Sequence, residues 1–202
     1  MISDSNNTRI VAAIKQAEAR TDGEIFCIIS KQSGDYGLVP IVWAAALALI
    51  LPLPLAFATA WSATTLYLAQ LTVFLVMVLV LSHPLLRLRI VPRGMKHHHA
   101  HAEAMRQFFA QGLDKTERRT GVLIFASSAE RYAEIVADAG INDKVPQAVW
   151  DDAVAALVAA IKDGRPADGF IAAIEKCGDV LAAYFPPGAF NRDELPDRLL
   201  EL

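Results

Sequence analysis

Three rhythms of apolar and polar residues alternate along this chain. In "NNTRIVAAIKQAEART", Ile10, Ile14 and Ala17 recur at helical spacing, and the leading Asn and Thr residues offer caps. "DGEIFCIIS" then begins with a turn signal and runs through five consecutive apolar residues, which suits a strand covered on both faces. Further on, "HHHAHAEAMRQFFAQGL" reads as a helix with His101, Met105, Phe108 and Phe109 on one side. "RRTGVLIFASS" is a second buried strand, and "ERYAEIVADAG" a third with partial alternation; the short gap between them predicts an antiparallel hairpin. Pro146 opens a helix with Trp150, Val154, Leu157 and Ile161 in one stripe, ending at Gly164. Pro166 opens another, with Phe170, Ile174, Cys177 and Leu181 aligned, stopped by Pro186-Pro187. The tail "GAFNRDELPDRLLEL" is charged with a short apolar end.

The third rhythm is an absence of charge. From Tyr36 to Leu86 there is no Lys, Arg, Asp or Glu in 51 residues, and all 41 charged residues fall elsewhere. A membrane-spanning helix takes about 20 apolar residues, so the window accommodates two, Leu38–Ala58 and Leu66–Leu85, around the turn "TAWSATT". Trp43, Trp61 and Tyr67 lie near span ends, where amphipathic rings favour the headgroup region. Pro52 and Pro54 fall inside the first helix, which a bilayer tolerates better than water does. The expected fold is therefore α/β, a small sheet flanked by helices with a transmembrane helical hairpin inserted after the first strand. Residues 1–35 and 97–185 would form the discontinuous domain, 87–96 a basic juxtamembrane segment and 186–202 the tail. Strand one reaches strand two only through a crossover, and a hairpin whose ends emerge on one side can sit inside it.

Charge is distributed unevenly about these elements. Arg87, Arg89, Arg93 and Lys96 follow the second span with no acid among them, Lys31 precedes the first, and the connecting turn has no basic residue. In a bacterial inner membrane this bias predicts a two-span protein with both termini cytoplasmic, its four basic residues against anionic headgroups. Residues 121–202 hold seven basic and fourteen acidic side chains. That acidity argues against a nucleic-acid partner. Cys27 and Cys177 sit in apolar surroundings without metal-type spacing and are read as reduced core residues.

With this order of elements, the chain resembles the TPM-domain family, the thylakoid-lumen and photosystem II repair proteins. The likeness lies in "AIKQAEARTDGEIFCII", "RRTGVLIFASSAERYAEIVADAGI" and "VWDDAVAALVAAIKDGRPADGFIAAIE". Thr21 to Ile25 stands for the family's Ser-Gly-Glu-Ile/Val strand entry, Thr120-Gly121-Val122 for its Asn/Thr-Gly-Val strand, and Gly164 to Gly169 for its glycine-flanked helix end. The resemblance implies a TPM-like fold over about residues 8–35 and 97–185. Family members typically carry an export signal and sometimes a C-terminal span. The internal hairpin instead resembles the membrane-inserted bacterial branch, found with other TPM proteins and LemA-like membrane proteins. The resemblance also implies associations with calcium binding and, in plants, acid phosphatase activity.

Two sets of candidate ligands stand out. His97 and His101, in "KHHHAHAE", are four apart and share a helix face, a spacing that suits zinc or nickel, or else packing and interfacial roles. Asp138, Asn142 and Asp143, with Glu24 if strands one and three approach, offer oxygen ligands for Ca²⁺. Alternatively Asp138 ends a strand and Asp143 helps start the helix at Pro146. Nucleophilic chemistry has little support: there is no Gly-x-Ser-x-Gly elbow and no glycine-rich phosphate loop. No charge lies within the spans to suggest a transport path. The expectation is a non-enzymatic membrane-anchored interaction, assembly or maintenance factor. Its partner would be another membrane protein, TPM-domain or LemA-like, or a second copy. The alternative is a metal-dependent, Ca²⁺-binding phosphatase using Glu24, Asp138 and Asp143.

Overall fold

A computed structural model describes residues 2–146, 148–188 and 195–202. In chain order the elements are α1 (Asp4–Glu18), β1 (Glu24–Ser30), α2 (Leu38–Ile50), α3 (Pro52–Ala58), α4 (Ala63–Leu81), α5 (Pro84–Ile90) and α6 (Arg93–Ala110). They continue with β2 (Gly121–Ser127), β3 (Tyr132–Ala137), α7 (Ala139–Asn142), α8 (Ala148–Lys162), α9 (Pro166–Tyr184) and β4 (Leu199–Glu201). Two compact units result: Met1–Ser33 with His97–Leu202, and Gly34–Lys96.

The first unit is α/β, a mixed four-stranded sheet in the order β3-β2-β1-β4. β1 pairs with β2 in parallel, Glu24 opposite Gly121 through Ser30 opposite Ser127, and β2 pairs with β3 antiparallel. Strand geometry divides the continuous apolar runs between two cores, because successive side chains point to opposite faces. Ile25, Cys27, Val122 and Ile124 join Ile10 and Ile14 of α1, Trp150 and Leu157 of α8, and Phe170, Ile174 and Leu181 of α9. Phe26, Ile28, Leu123 and Phe125 meet Ala100, Ala104 and Phe108 of α6 on the other face. Gly121 opens β2 where a Cβ would stand 2.4 Å from the Leu113 carbonyl oxygen, so a side chain there would force the backbone apart. The two cysteines are free and buried, and burial raises both thiols above their ordinary range.

Several elements differ from the sequence expectation. The tail supplies a fourth strand: Cys27, Ile28 and Ile29 of β1 pair in parallel with Leu199, Leu200 and Glu201. Its short apolar end extends the sheet because Leu199 enters one core and Leu200 packs on the other. The second apolar helix runs from Ala63 to Leu81 rather than from Leu66 to Leu85. Ser62 sets its start, its hydroxyl accepting the Thr65 N–H at 3.3 Å, and Pro84 begins a separate helix.

The second unit is built on α2 and α4. Leu38–Ala58 and Ala63–Leu81 are long and apolar enough to cross a membrane. Ala44 and Ala48, one turn apart on α2, are buried, and α2 packs along α4. Large apolar side chains stand open on both helices, among them Leu38, Leu49, Phe57, Leu75 and Leu79.

A half-buried carboxyl pair fastens the tail in the α/β unit. Glu18 accepts the Ile25 N–H at 2.7 Å, and Lys15 Nζ lies 3.9 Å from Asp197. Burial, reinforced by a hydrogen bond with Asp197, pushes the Glu18 carboxyl up to about 10 from 4.5. The folded state thus retains a proton that the unfolded chain releases above about 4.5, so stability falls as pH rises from there toward 10. Glu18→Gln is expected to flatten that fall and to be the more stable form at pH 9. Thermal unfolding of the full chain in detergent at pH 5, 7 and 9 checks this; parallel pH curves for the two proteins contradict it.

Candidate functional site: a histidine–carboxylate cleft at the open sheet edge

Alternation along β3 places Ala133, Ile135 and Ala137 in the core that holds α8 and α9, while Tyr132 and Val136 pack on the α6 side. Glu134 falls between these two and meets α6 directly. His101 Nδ1 lies 2.9 and 3.0 Å from the two Glu134 carboxylate oxygens, and the Tyr132 hydroxyl donates to the same carboxylate. His97, one turn earlier on α6, sets its ring 5.1 Å from that of Tyr132. The two histidines therefore face one strand, as their spacing implies. Burial and then the adjacent Glu134 carboxylate raise the Tyr132 phenol above its ordinary range, because a phenolate there would be desolvated beside a negative charge.

Above this cluster lies an open cleft of about 440 Å³. Its floor is β3 itself, one wall carries His101 and Met105 of α6, and the other Asp151 and Val154 of α8. Asn142 closes one end, its side-chain amide donating to the Ala137 carbonyl at 2.8 Å.

The ligand set expected from sequence does not assemble as expected. β2 lies between β1 and β3, so Glu24 and Asp138 belong to strands two positions apart, about 9–10 Å in an ordinary sheet. Glu24 accepts the Leu195 N–H at 3.3 Å. Asp138 follows the end of β3 and caps α7, its Oδ1 accepting the Ala139 N–H at 2.6 Å, while Oδ2 is buried without a hydrogen-bond partner among the described residues. Asn142 is committed to the Ala137 carbonyl, and Asp143 sits exposed at the end of α7 rather than at the start of α8. Among the described residues, no group of three or more His, Cys, Asp or Glu is placed to hold a metal ion. His101 also departs from a packing role beside Phe108. Its side chain is 56% exposed and hydrogen-bonded to Glu134, whereas Phe108 is buried and Phe109 open. Sequence reasoning missed Tyr132 and Glu134 as partners of the histidines. The available signal was a carboxylate on the α6-facing side of β3.

The TPM domain family model matches residues 86–180, the segment containing α6, the β2–β3 hairpin, α8 and most of α9. The chain carries a TPM domain. This TPM domain is similar in fold to the NMR structure of BA42 protein from the psychrophilic bacterium Bizionia argentinensis. That match has a TM-score of 0.63 and 23% identity, over 100% of this chain and 95% of the other. Among curated proteins none matches.

The hydrogen bond inside the cluster makes a spectroscopic prediction. Of the four tyrosines in the chain, Tyr132 is expected to ionise at higher pH than an ordinary tyrosine, and Glu134→Gln is expected to lower its transition. Ultraviolet pH titration of the full chain, with Tyr132→Phe to assign the transition, measures both. An unchanged Tyr132 transition in Glu134→Gln contradicts the coupling.

Proposed function

We propose that this TPM-domain chain is a membrane-anchored interaction factor, acting in assembly or maintenance of a membrane complex without chemistry of its own. The supporting observation is the second unit, whose two charge-free helices keep large apolar side chains open; Phe57 is 91% and Leu79 77% exposed. Leaving such surface in water forgoes about 25 cal/mol per Å², whereas a bilayer hides it without protein contacts. Arg87, Arg89, Arg93 and Lys96 follow α4 and suit anionic headgroups. The positive bias on that side favours cytoplasmic termini. The alternative, metal-dependent phosphatase reading has less support: Glu24 accepts the Leu195 N–H, Asp138 caps α7 through one oxygen, and Asp143 is exposed at the end of that helix.

Three results are expected of the intact chain. It stays with membranes after alkaline carbonate extraction. A reporter fused after Leu202 works in the cytoplasm. Mild-detergent pull-down recovers a stoichiometric membrane partner identified by mass. Release by carbonate contradicts the anchor, an exported reporter contradicts the orientation, and recovery of the chain alone contradicts the interaction role.

A further inference from the structure

β3 ends the sheet, and its outer side has no strand among the described residues. Antiparallel pairing fixes which backbone groups face outward. The Asp138 N–H donates to the Gly121 carbonyl at 2.9 Å, so Asp138 belongs to a hydrogen-bonded pair. Pairs alternate along the ladder, making Val136–Leu123, Glu134–Phe125 and Tyr132–Ser127 the other bonded ones. The N–H and C=O groups of Ala133, Ile135 and Ala137 consequently point away from β2. Asn142 provides an independent check of this phase, since it reaches the Ala137 carbonyl from the outer side. Among the described residues, what remains is a short ladder: three donors, at Ala133, Ile135 and Ala137, and two acceptors, at Ala133 and Ile135.

This edge is recessed. The three residues are less than a tenth exposed, yet the cleft above them is open between α6 and α8. Recessing a sheet edge between flanking helices discourages flat edge-to-edge association, and leaves room for one extended chain. Charge selects which chain. Among the described residues, the cleft is lined by the carboxylates of Glu134 and Asp151, by His101, and by no Lys or Arg. Along the sequence, residues 121–202 carry fourteen acids against seven bases. A second copy paired through β3 would bring two Asp151 residues and two acidic domains together, so self-pairing is opposed.

We infer that the β3 cleft binds an extended basic segment of a partner protein by strand addition, as a fifth strand beside Ala133–Ala137. The inference rests on the interaction reading above and gives it a mechanism. Main-chain bonds to β3 supply register, apolar side chains of the ligand meet Met105 and Val154, and a Lys or Arg meets Asp151.

The test uses the full chain in detergent micelles, panned against a displayed library of random decapeptides. Enriched peptides are expected to combine apolar residues with Lys or Arg and to lack Pro at their centre. Bound to the protein, a synthetic copy should slow amide exchange of Ala133, Ile135 and Ala137 at least tenfold. Ala133→Pro removes an outward N–H while sparing the β2 ladder, and is expected to weaken binding at least tenfold. Asp151→Lys, on the exposed side of α8, should weaken it several-fold and reduce its salt dependence. Should Ala133→Pro fail to fold, the exchange footprint and Asp151→Lys still decide. The inference is overturned by enrichment of acidic peptides, by no enrichment, by protection elsewhere, or by self-association lost in Ala133→Pro. Peptide failure alongside a recovered pull-down partner removes only the edge mechanism; a groove that binds peptides in a chain recovered alone removes the cellular role.

Discussion

Parallel pairing of Glu24–Ser30 with Gly121–Ser127 is the contact around which everything else is arranged. It is strongly non-local, because residues 31–120 intervene. Parallel strands need a crossover, and here that crossover includes an entire apolar hairpin as well as α6. The pairing persists because both strands bury side chains on both faces, in two separate cores. One core is closed by α1, α8 and α9, the other by α6. Any change that weakens β1 or β2 loosens both layers together.

The same pairing explains where the chemistry collects. β1 and β2 are the two central strands, so β3 and β4 become the edges. On the β4 side the tail is fastened by backbone pairing and by the proton retained on Glu18. On the β3 side no strand follows among the described residues, and the edge sits beneath α6 and α8 with its polar residues gathered along it. His97, His101, Tyr132 and Glu134 are a cluster because α6 crosses the face of the strand that ends the sheet.

Much of this architecture was legible from residue order. The two five-residue apolar runs announced doubly covered strands, and the short "SSAER" gap announced the β2–β3 hairpin. His97 and His101 shared a face, as four-residue spacing requires. What they touch was not legible. Glu134 is 33 positions from His101, and their meeting depends on strand order, which local periodicity does not encode. The separation of Glu24 from Asp138 by β2 was equally invisible, since it too is a matter of strand order. β4 escaped notice because three residues carry too little pattern in a charged tail, and Leu199 is recognisable as a core residue only once β1 offers it a neighbour.

The split domain has a consequence for how the protein is made. Translation delivers α1 and β1 first, then the apolar hairpin, and only much later Gly121. β1 therefore leaves the ribosome with neither neighbouring strand in existence, while the hairpin is already free to partition. The sheet can acquire its fourth strand only after Leu199–Glu201 have emerged, long after β1 and well after β2 and β3. Until then β1 keeps an unpaired edge, so the nascent domain depends on prompt hairpin partitioning, or on a holding chaperone, to avoid pairing with another chain.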